Sequence, residues 1–110
     1  MRALTITSFI RLGFASEAEV PDVKVIRVPD GGIQPEVVRD DEGVVHMIYF
    51  SGDAKAGDVF YTRSKDDGAS FRPPLRVNSQ AKSVIAIGTV RGAQLAVGRD
   101  GRVHVAWMGA

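Results

Sequence analysis

The sequence feature that most constrains the fold is an internal repeat of β-type segments. Residues 35–49 align without a gap with residues 93–107. Gly43 then pairs with Gly101 and His46 with His104, each at a separation of 58 positions. Self-similarity at a fixed spacing is typical of folds that stack equivalent structural units. The repeat therefore predicts two related β-units in one chain.

The rest of the chain also has the pattern of short strands. Apolar and β-branched runs alternate with Gly, Asp, Asn and Pro, and helical spacing of apolar residues is not sustained. Between several runs lie hairpin signals such as Asp66-Asp67-Gly68. The chain is therefore predicted to be all-β, with strands at residues 23–28, 36–39, 44–50, 58–64, 75–77, 94–97 and 103–108.

A repeat of this size with four short antiparallel strands is typical of a β-propeller blade, whose faces are covered by neighbouring blades. We predict one complete blade at about residues 34–79 and the start of a second at about 92–110. Val23 to Val28 is predicted as an outer strand of a preceding or closing blade. Closed propellers use about four to eight blades, so residues 21–110 are interpreted as an incomplete propeller fragment. An assembling subunit and a smaller β-sandwich are the alternatives.

The most specific motif lies between the third and fourth predicted strands. Ser64-Lys65-Asp66-Asp67-Gly68-Ala69-Ser70-Phe71 fits the Asp-box pattern Ser-x-Asp-x-Gly-x-Thr/Ser-Trp/Phe. The Asp66 carboxylate can accept hydrogen bonds from turn amides, and Gly68 can adopt a positive φ. Ser64 and Ser70 can join the strand ends, with Phe71 packed under the turn. These five defined positions predict a structural turn.

With this motif and the repeated segment that ends in Val103-His104-Val105-Ala106-Trp107, the sequence resembles the sialidase (neuraminidase) superfamily of Asp-box, or BNR-repeat, β-propellers. The resemblance covers about residues 30–110. It implies a six-bladed propeller and, in the enzymes of the superfamily, hydrolysis of terminal sialic acids. Asp boxes also occur in non-catalytic propellers, and the box itself is structural and lies away from the active face.

The resemblance implies two candidate site residues. Asp53, in the predicted loop from Ser51 to Gly57, stands where the superfamily has its acid/base aspartate, so it is the catalytic candidate. A solvated loop aspartate is the alternative interpretation. In the superfamily, the arginine of an Arg-Ile-Pro motif helps to bind the substrate carboxylate. Ile33 stands at that position before Pro35, so the arginine is missing there. The repeat-equivalent position of Ile33 is Arg91, which is the substrate-binding candidate. Ile26-Arg27-Val28-Pro29 is similar in sequence to the Arg-Ile-Pro motif, but Arg27 is interpreted as a solvated strand residue.

Metal and cofactor sites receive no support from the sequence. His46 and His104 are repeat-equivalent, which favours a shared structural position over a metal pair. Asp40-Asp41-Glu42-Gly43 lacks the alternating spacing of calcium ligands and is interpreted as a hairpin turn. The chain contains no Cys, so thiolate metal sites and disulfides are excluded. We therefore predict neither a metal nor a cofactor.

Charge and hydropathy restrict the partners. With 14 Lys plus Arg against 13 Asp plus Glu, the net charge of +1 favours no nucleic-acid partner. No apolar run approaches the roughly 20 residues of a membrane span. Residues 1–20 are interpreted as a degenerate signal peptide or a disordered N-terminus, with an ordinary first strand as the alternative. A signal peptide would place the protein outside the cell or in the periplasm.

The sequence therefore predicts a fragment of a sialidase-like exo-glycosidase that acts on terminal sialic acids or related glycans. Its partners would be a glycan and the remaining propeller blades of a longer chain. The alternative function is a non-catalytic Asp-box propeller module that binds glycans or proteins or serves as a scaffold. The missing arginine before Pro35 favours this alternative. A complete active site is absent from the chain, because the tyrosine nucleophile of the superfamily has no match.

Overall fold

The structure, a computed structural model, describes residues 22–89 and 92–109. These residues form an all-β fold with antiparallel strands, as the sequence predicts, and a short 3₁₀ turn at Pro29–Gly31. The strands are β1 (Ile33–Arg39), β2 (Val45–Asp53), β3 (Ala56–Ser64), β4 (Leu75–Arg76), β5 (Gln94–Val97) and β6 (Val103–Ala106). They form one four-stranded sheet in the order β1-β2-β3-β4, called unit 1 here, and a two-stranded sheet β5-β6, called unit 2.

The two units repeat the same hairpin in the same register. In unit 1, Glu36 pairs with Ile48 and Arg39 with Val45. In unit 2, the repeat-equivalent pairs are Gln94 with Ala106 and Val97 with Val103. The connecting turns also match, with Gly43 at φ +83° and Gly101 at φ +79°. The positive φ explains why both turns carry glycine at this position. The sequence repeat is therefore a repeat of backbone structure.

The apolar core lies between the two units. Ile48, Phe50 and Val59 project from one face of unit 1 and are fully buried. They pack against Leu95 of β5, with Val103 and Val105 of β6 at the margin. In β1, the Glu36 carboxylate accepts a hydrogen bond from the Leu95 amide. Burial of apolar area stabilises such contacts by about 25 cal/mol per Å². Each unit therefore stabilises the other by covering an apolar face that would otherwise be exposed to solvent.

The prediction of a strand from Val23 to Val28 is wrong. This segment joins neither sheet, and it passes close to the Asp-box turn. A Cβ built on Gly68 would lie 2.8 Å from Cδ1 of Ile26, which shows how closely the segment approaches the turn. Val23 and Val25 are almost fully exposed. A run of β-branched residues makes a strand only when a sheet edge is there to pair with.

The connection from Asn78 towards β5 is folded rather than an open insertion. Val84 is fully buried and forms isolated antiparallel bridges with Gly57 and with Gly109. The amide of Gly57 donates to the Val84 carbonyl at 2.8 Å, and the amide of Val84 donates to the Gly57 carbonyl at 3.0 Å. The connection therefore fastens the β2–β3 hairpin to the chain that follows β6.

Candidate functional site

The sheet of unit 1 has two chemically different ends. The β1–β2 turn and the Asp box lie at one end, where the Arg39 guanidinium is 3.3 Å from the Asp67 carboxylate. The β2–β3 turn and the connection lie at the other end, where the Ala86 amide donates to the Ala54 carbonyl at 2.8 Å. Alternating strand directions produce this separation. The candidate acid Asp53 and the Asp box are therefore at opposite ends.

Asp53 is the last residue of β2, not a residue of an open loop. The predicted loop from Ser51 to Gly57 is wrong, because β2 and β3 continue to the pair Asp53 and Ala56 across a turn of two residues. Gly52 at φ +112° lies opposite Gly57, and the ring of Phe50 covers Gly57. Two facing glycines let the backbones approach closely enough for pairing to continue.

The Asp53 carboxylate is solvent-exposed and stabilises its own turn. Its Oδ1 atom accepts a hydrogen bond from the Lys55 amide at 2.8 Å. An aspartate that accepts from the amide two residues later forms an Asx turn, a common turn-stabilising arrangement. Among the described residues, no second carboxylate is hydrogen-bonded to Asp53. The other sequence candidate, Arg91, lies outside the described residues.

The Asp box is a compact hydrogen-bonded turn built around Asp66. Its Oδ1 atom accepts from the Ser64 hydroxyl at 2.6 Å and from the Ser70 amide at 2.9 Å. Its Oδ2 atom accepts from the Ser70 hydroxyl at 2.6 Å. The Gly68 amide, at φ +89°, donates to Ser64 Oγ at 2.8 Å. Phe71 is half-buried beside the turn. The Asp66 carboxylate and the hydroxyls of Ser64 and Ser70 thus serve the turn itself.

These hydrogen bonds determine the electrostatics of the Asp box. The Ser64 hydroxyl, and then the Ser70 hydroxyl and amide, stabilise the ionised carboxylate and lower the pKa of Asp66 to about 2. The group therefore remains an acceptor at all but strongly acidic pH. A carboxylate with such a low pKa is poorly suited to donate a proton near neutrality, so it is a structural group.

A second polar cluster, which sequence reasoning missed, joins Asp40, His46 and Tyr61. The Nε2 atom of His46 lies 2.9 Å from Oδ2 of Asp40, and its Nδ1 atom lies 2.7 Å from the Tyr61 hydroxyl. The carboxylate is only an acceptor, so Nε2 is the donor and, in the neutral ring, Nδ1 accepts from the hydroxyl.

The cluster is connected to the β1–β2 turn. The hydrogen bond from His46 is the main cause that lowers the pKa of Asp40, followed by the bond from the Val44 amide. Burial raises the pKa of Tyr61. The repeat of His46 at His104 indicated a shared structural position. Unit 2, however, has Gly98 where unit 1 has Asp40, so the repeat gave no indication that a carboxylate contacts the histidine.

The residue that holds the connection in place is Asn78. It is fully buried, accepts from the Val59 amide at 3.0 Å through Oδ1, and donates to Asp58 Oδ1 and the Gln80 carbonyl at 2.8 Å through Nδ2. An asparagine in a polar turn ordinarily predicts only a loop, so no sequence signal distinguished it.

In residues 22–89 and 92–109, no group of three or more His, Asp or Glu side chains is arranged to hold a metal ion. Within those same ranges, no helix has the length and apolar character needed to cross a bilayer. The Asp40 and His46 pair supplies two ligand types, but its contacts are used by the turn and Tyr61.

Comparisons with known proteins give no family for the chain. No protein-family description, no curated protein and no solved structure matches it.

Proposed function

We propose that the chain is part of a sialidase-like Asp-box β-propeller protein and serves as a glycan-binding module. The observation that carries the proposal is the pair of in-register hairpin units with a complete Asp-box hydrogen-bond network between β3 and β4. Stacked units of this type expose one set of turns as a continuous ligand-binding face.

The glycan contact is proposed at the end that carries the β2–β3 turn. The Asp66 carboxylate and the hydroxyls of Ser64 and Ser70 are used within the Asp-box turn, whereas Asp53 and Lys55 are solvent-exposed at the opposite end. The connection is hydrogen-bonded to the same turn through Ala86 and Ala54. Exposed polar side chains on a turn that is fixed in this way can hydrogen-bond sugar hydroxyls with little loss of conformational entropy.

Hydrolysis of sialosides is the second candidate function, and Asp53 supports it. Only Oδ1 of this carboxylate is engaged by the turn, so within the described residues Oδ2 is open to a ligand. A carboxylic acid there could protonate a glycosidic oxygen. Binding ranks ahead of hydrolysis because the tyrosine nucleophile of the superfamily has no match in the sequence, whereas glycosidases ordinarily use two catalytic groups.

Glycan binding can be tested by NMR on the 15N-labelled chain. Titration with 3′-sialyllactose should shift amide signals of residues 53–57 and 83–87 and leave those of the Asp box unchanged. Lactose is the control ligand and should produce smaller shifts. Asp53→Asn should weaken binding, and Asp41→Asn, at the opposite end, should not. Absence of saturable shifts at millimolar ligand would contradict the binding proposal.

The hydrolysis candidate has its own readout. A fluorogenic sialoside should be cleaved by the full-length parent protein and not by its Asp53→Asn variant if Asp53 is the general acid. Cleavage that persists in Asp53→Asn would exclude this role of Asp53. Binding of sialyllactose without cleavage of the sialoside would leave the binding module as the function.

A further inference from the structure

Gln34 and Gly92 occupy the same position of the two repeat units, at the entry to the first strand of each unit. They are 58 positions apart, which is the separation that relates the units. Both have a left-handed backbone, with φ +53° at Gln34 and φ +83° at Gly92. Glycine adopts such a backbone without steric cost, whereas a residue with a Cβ ordinarily avoids it. Unit 2 therefore has the residue that this conformation favours, and unit 1 has a glutamine in its place.

The strain at Gln34 is unusual because this residue lies inside strand β1. The other described residues that combine a side chain with a positive φ all lie in turns, namely Asp30, Asp67 and Lys82. Strained residues within ordered structure cluster at ligand-binding and catalytic sites, where the side chain serves a purpose other than folding. The glutamine at this position therefore needs an explanation that the fold does not give.

The carboxamide of Gln34 supplies an explanation. Its Oε1 atom is buried, and within the described residues it accepts no hydrogen bond. Gly92 packs against this group, since a Cβ built on Gly92 would lie 3.0 Å from Oε1. A buried acceptor without a donor destabilises the free protein. The torsion that orients a terminal carboxamide is soft, so the group can turn towards a donor at the surface. A ligand that provides the donor removes this cost, which favours the bound state.

Gln34 lies at the end of unit 1 for which the glycan contact is proposed. Ile33, the first residue of β1, pairs with Phe50 of β2, and β2 ends at Asp53. Gln34 and Asp53 are therefore at the same end of two paired strands. Gln34 is half-buried as a whole, so its side chain is not enclosed by the protein.

We propose that Gln34 is a ligand-binding residue of this end, and that its carboxamide hydrogen-bonds a hydroxyl of the bound sugar. The proposal rests on the glycan-binding function proposed above. A carboxamide both donates and accepts hydrogen bonds, which suits a sugar hydroxyl because a hydroxyl also does both. The strained backbone keeps the Gln34 side chain at the junction with Gly92, and the ligand provides the hydrogen bond that Oε1 lacks in the free protein.

Side-chain NMR tests the proposal in the unaltered chain. The sequence has three glutamines and one asparagine, so few carboxamide signals have to be assigned. On titration of the 15N-labelled chain with 3′-sialyllactose, the carboxamide signals of Gln34 should shift and saturate together with the amide signals of residues 53–57. The carboxamide of Asn78 is buried and hydrogen-bonded within the protein, so it is the internal control and should not shift.

A pair of variants separates binding from folding. Gln34→Gly gives unit 1 the residue of unit 2, which removes the carboxamide and relieves the backbone strain. We expect the affinity for 3′-sialyllactose to fall about threefold to tenfold, because one hydrogen bond is lost. The thermal midpoint should not decrease. Asp67→Gly makes the same kind of change at φ +57° at the opposite end of the sheet, and its affinity should equal that of the unaltered chain.

The contrary outcomes can be told apart from failure of the proposed function. Shifts at residues 53–57 without a shift of the Gln34 carboxamide would overturn this inference and leave glycan binding in place. Unchanged affinity of Gln34→Gly would have the same meaning, and a lowered thermal midpoint in addition would assign Gln34 a structural role. Absence of shifts at both places would contradict glycan binding itself, and this inference with it.

Discussion

His46 and Asp40 are joined by a 2.9 Å contact between Nε2 and Oδ2, which links the buried strand β2 to the turn before it. The same carboxylate accepts the amides of Glu42 and Val44 through Oδ1, each at 2.9 Å. A single carboxylate thus stabilises both the turn and the ring orientation of a buried histidine.

The first prediction concerns acid stability and Asp40. Its pKa lies below the ordinary 3.8 in the folded state, so its contribution to the free energy of unfolding is present above that value. The contribution is lost as pH falls through the lowered folded pKa. Asp40→Asn should therefore reduce stability at neutral pH and flatten the decrease below about pH 4. Urea unfolding followed by circular dichroism at several pH values measures both effects.

Asp41→Asn is the control for this prediction, because Asp41 is an exposed neighbour in the same turn. Its pH dependence should follow that of the unaltered chain. An Asp40→Asn variant as stable as the unaltered chain at neutral pH would show that the contact with His46 makes no net contribution.

The second prediction concerns the Asp box directly. Carboxyl carbon NMR should give Asp66 a midpoint of about 2. Ser70→Ala removes a hydroxyl that donates to the ionised form, so the pKa of Asp66 should rise towards 3.8. Ala69→Ser changes an exposed neighbour and should leave the midpoint where it is. An unchanged Asp66 titration in Ser70→Ala would contradict the hydrogen-bond explanation.

The third prediction concerns Asn78. Replacing it with alanine leaves the buried Val59 amide without its acceptor and removes the donor to Asp58. We expect a loss of about 1–3 kcal/mol in the free energy of unfolding, which is typical of a buried group left without a partner. Denaturant unfolding measures the loss, with Ser79→Ala at an exposed neighbouring position as the control. A loss no larger than that of Ser79→Ala would be the contrary result.

The fourth prediction concerns the contact of Phe50 with Gly57. A Cβ at position 57 would lie 2.2 Å from Cζ of Phe50, so the buried ring would have to move. Gly57→Ala should therefore lower the free energy of unfolding by about 1–3 kcal/mol. Gly109→Ala is the matched control, since its Cβ would meet its nearest neighbour, the Ser83 carbonyl, at an ordinary 3.8 Å. Equal effects in the two variants would refute the steric argument.

The repeat explains why much of the fold was predictable from sequence. Residues 36–39 and 94–97 were identified as strands, and the alignment at Gly43 and Gly101 is reproduced in the turn geometry. Periodicity and turn chemistry are local signals, and here local and tertiary preferences agree.

Other features depend on contacts that local patterns do not contain. Val23 to Val28 is rich in β-branched residues like a strand, yet it joins neither sheet. Gln34 adopts φ +53°, which accompanies the irregular pairing between Ile33 and Glu36 at the start of β1. The partnership of Asp40 with His46 and the burial of Asn78 likewise arise only when distant strands meet. Tertiary context decides these cases.

The bond between the Glu36 carboxylate and the Leu95 amide has a consequence for how the chain folds. The two residues are 59 positions apart, whereas each unit is built from hairpins between neighbouring strands. Hairpins close in microseconds, but contacts across a long loop carry a larger entropic cost. We therefore expect the hairpins to form first and to associate afterwards, so mutations at the junction of the units should accelerate unfolding more than they slow folding.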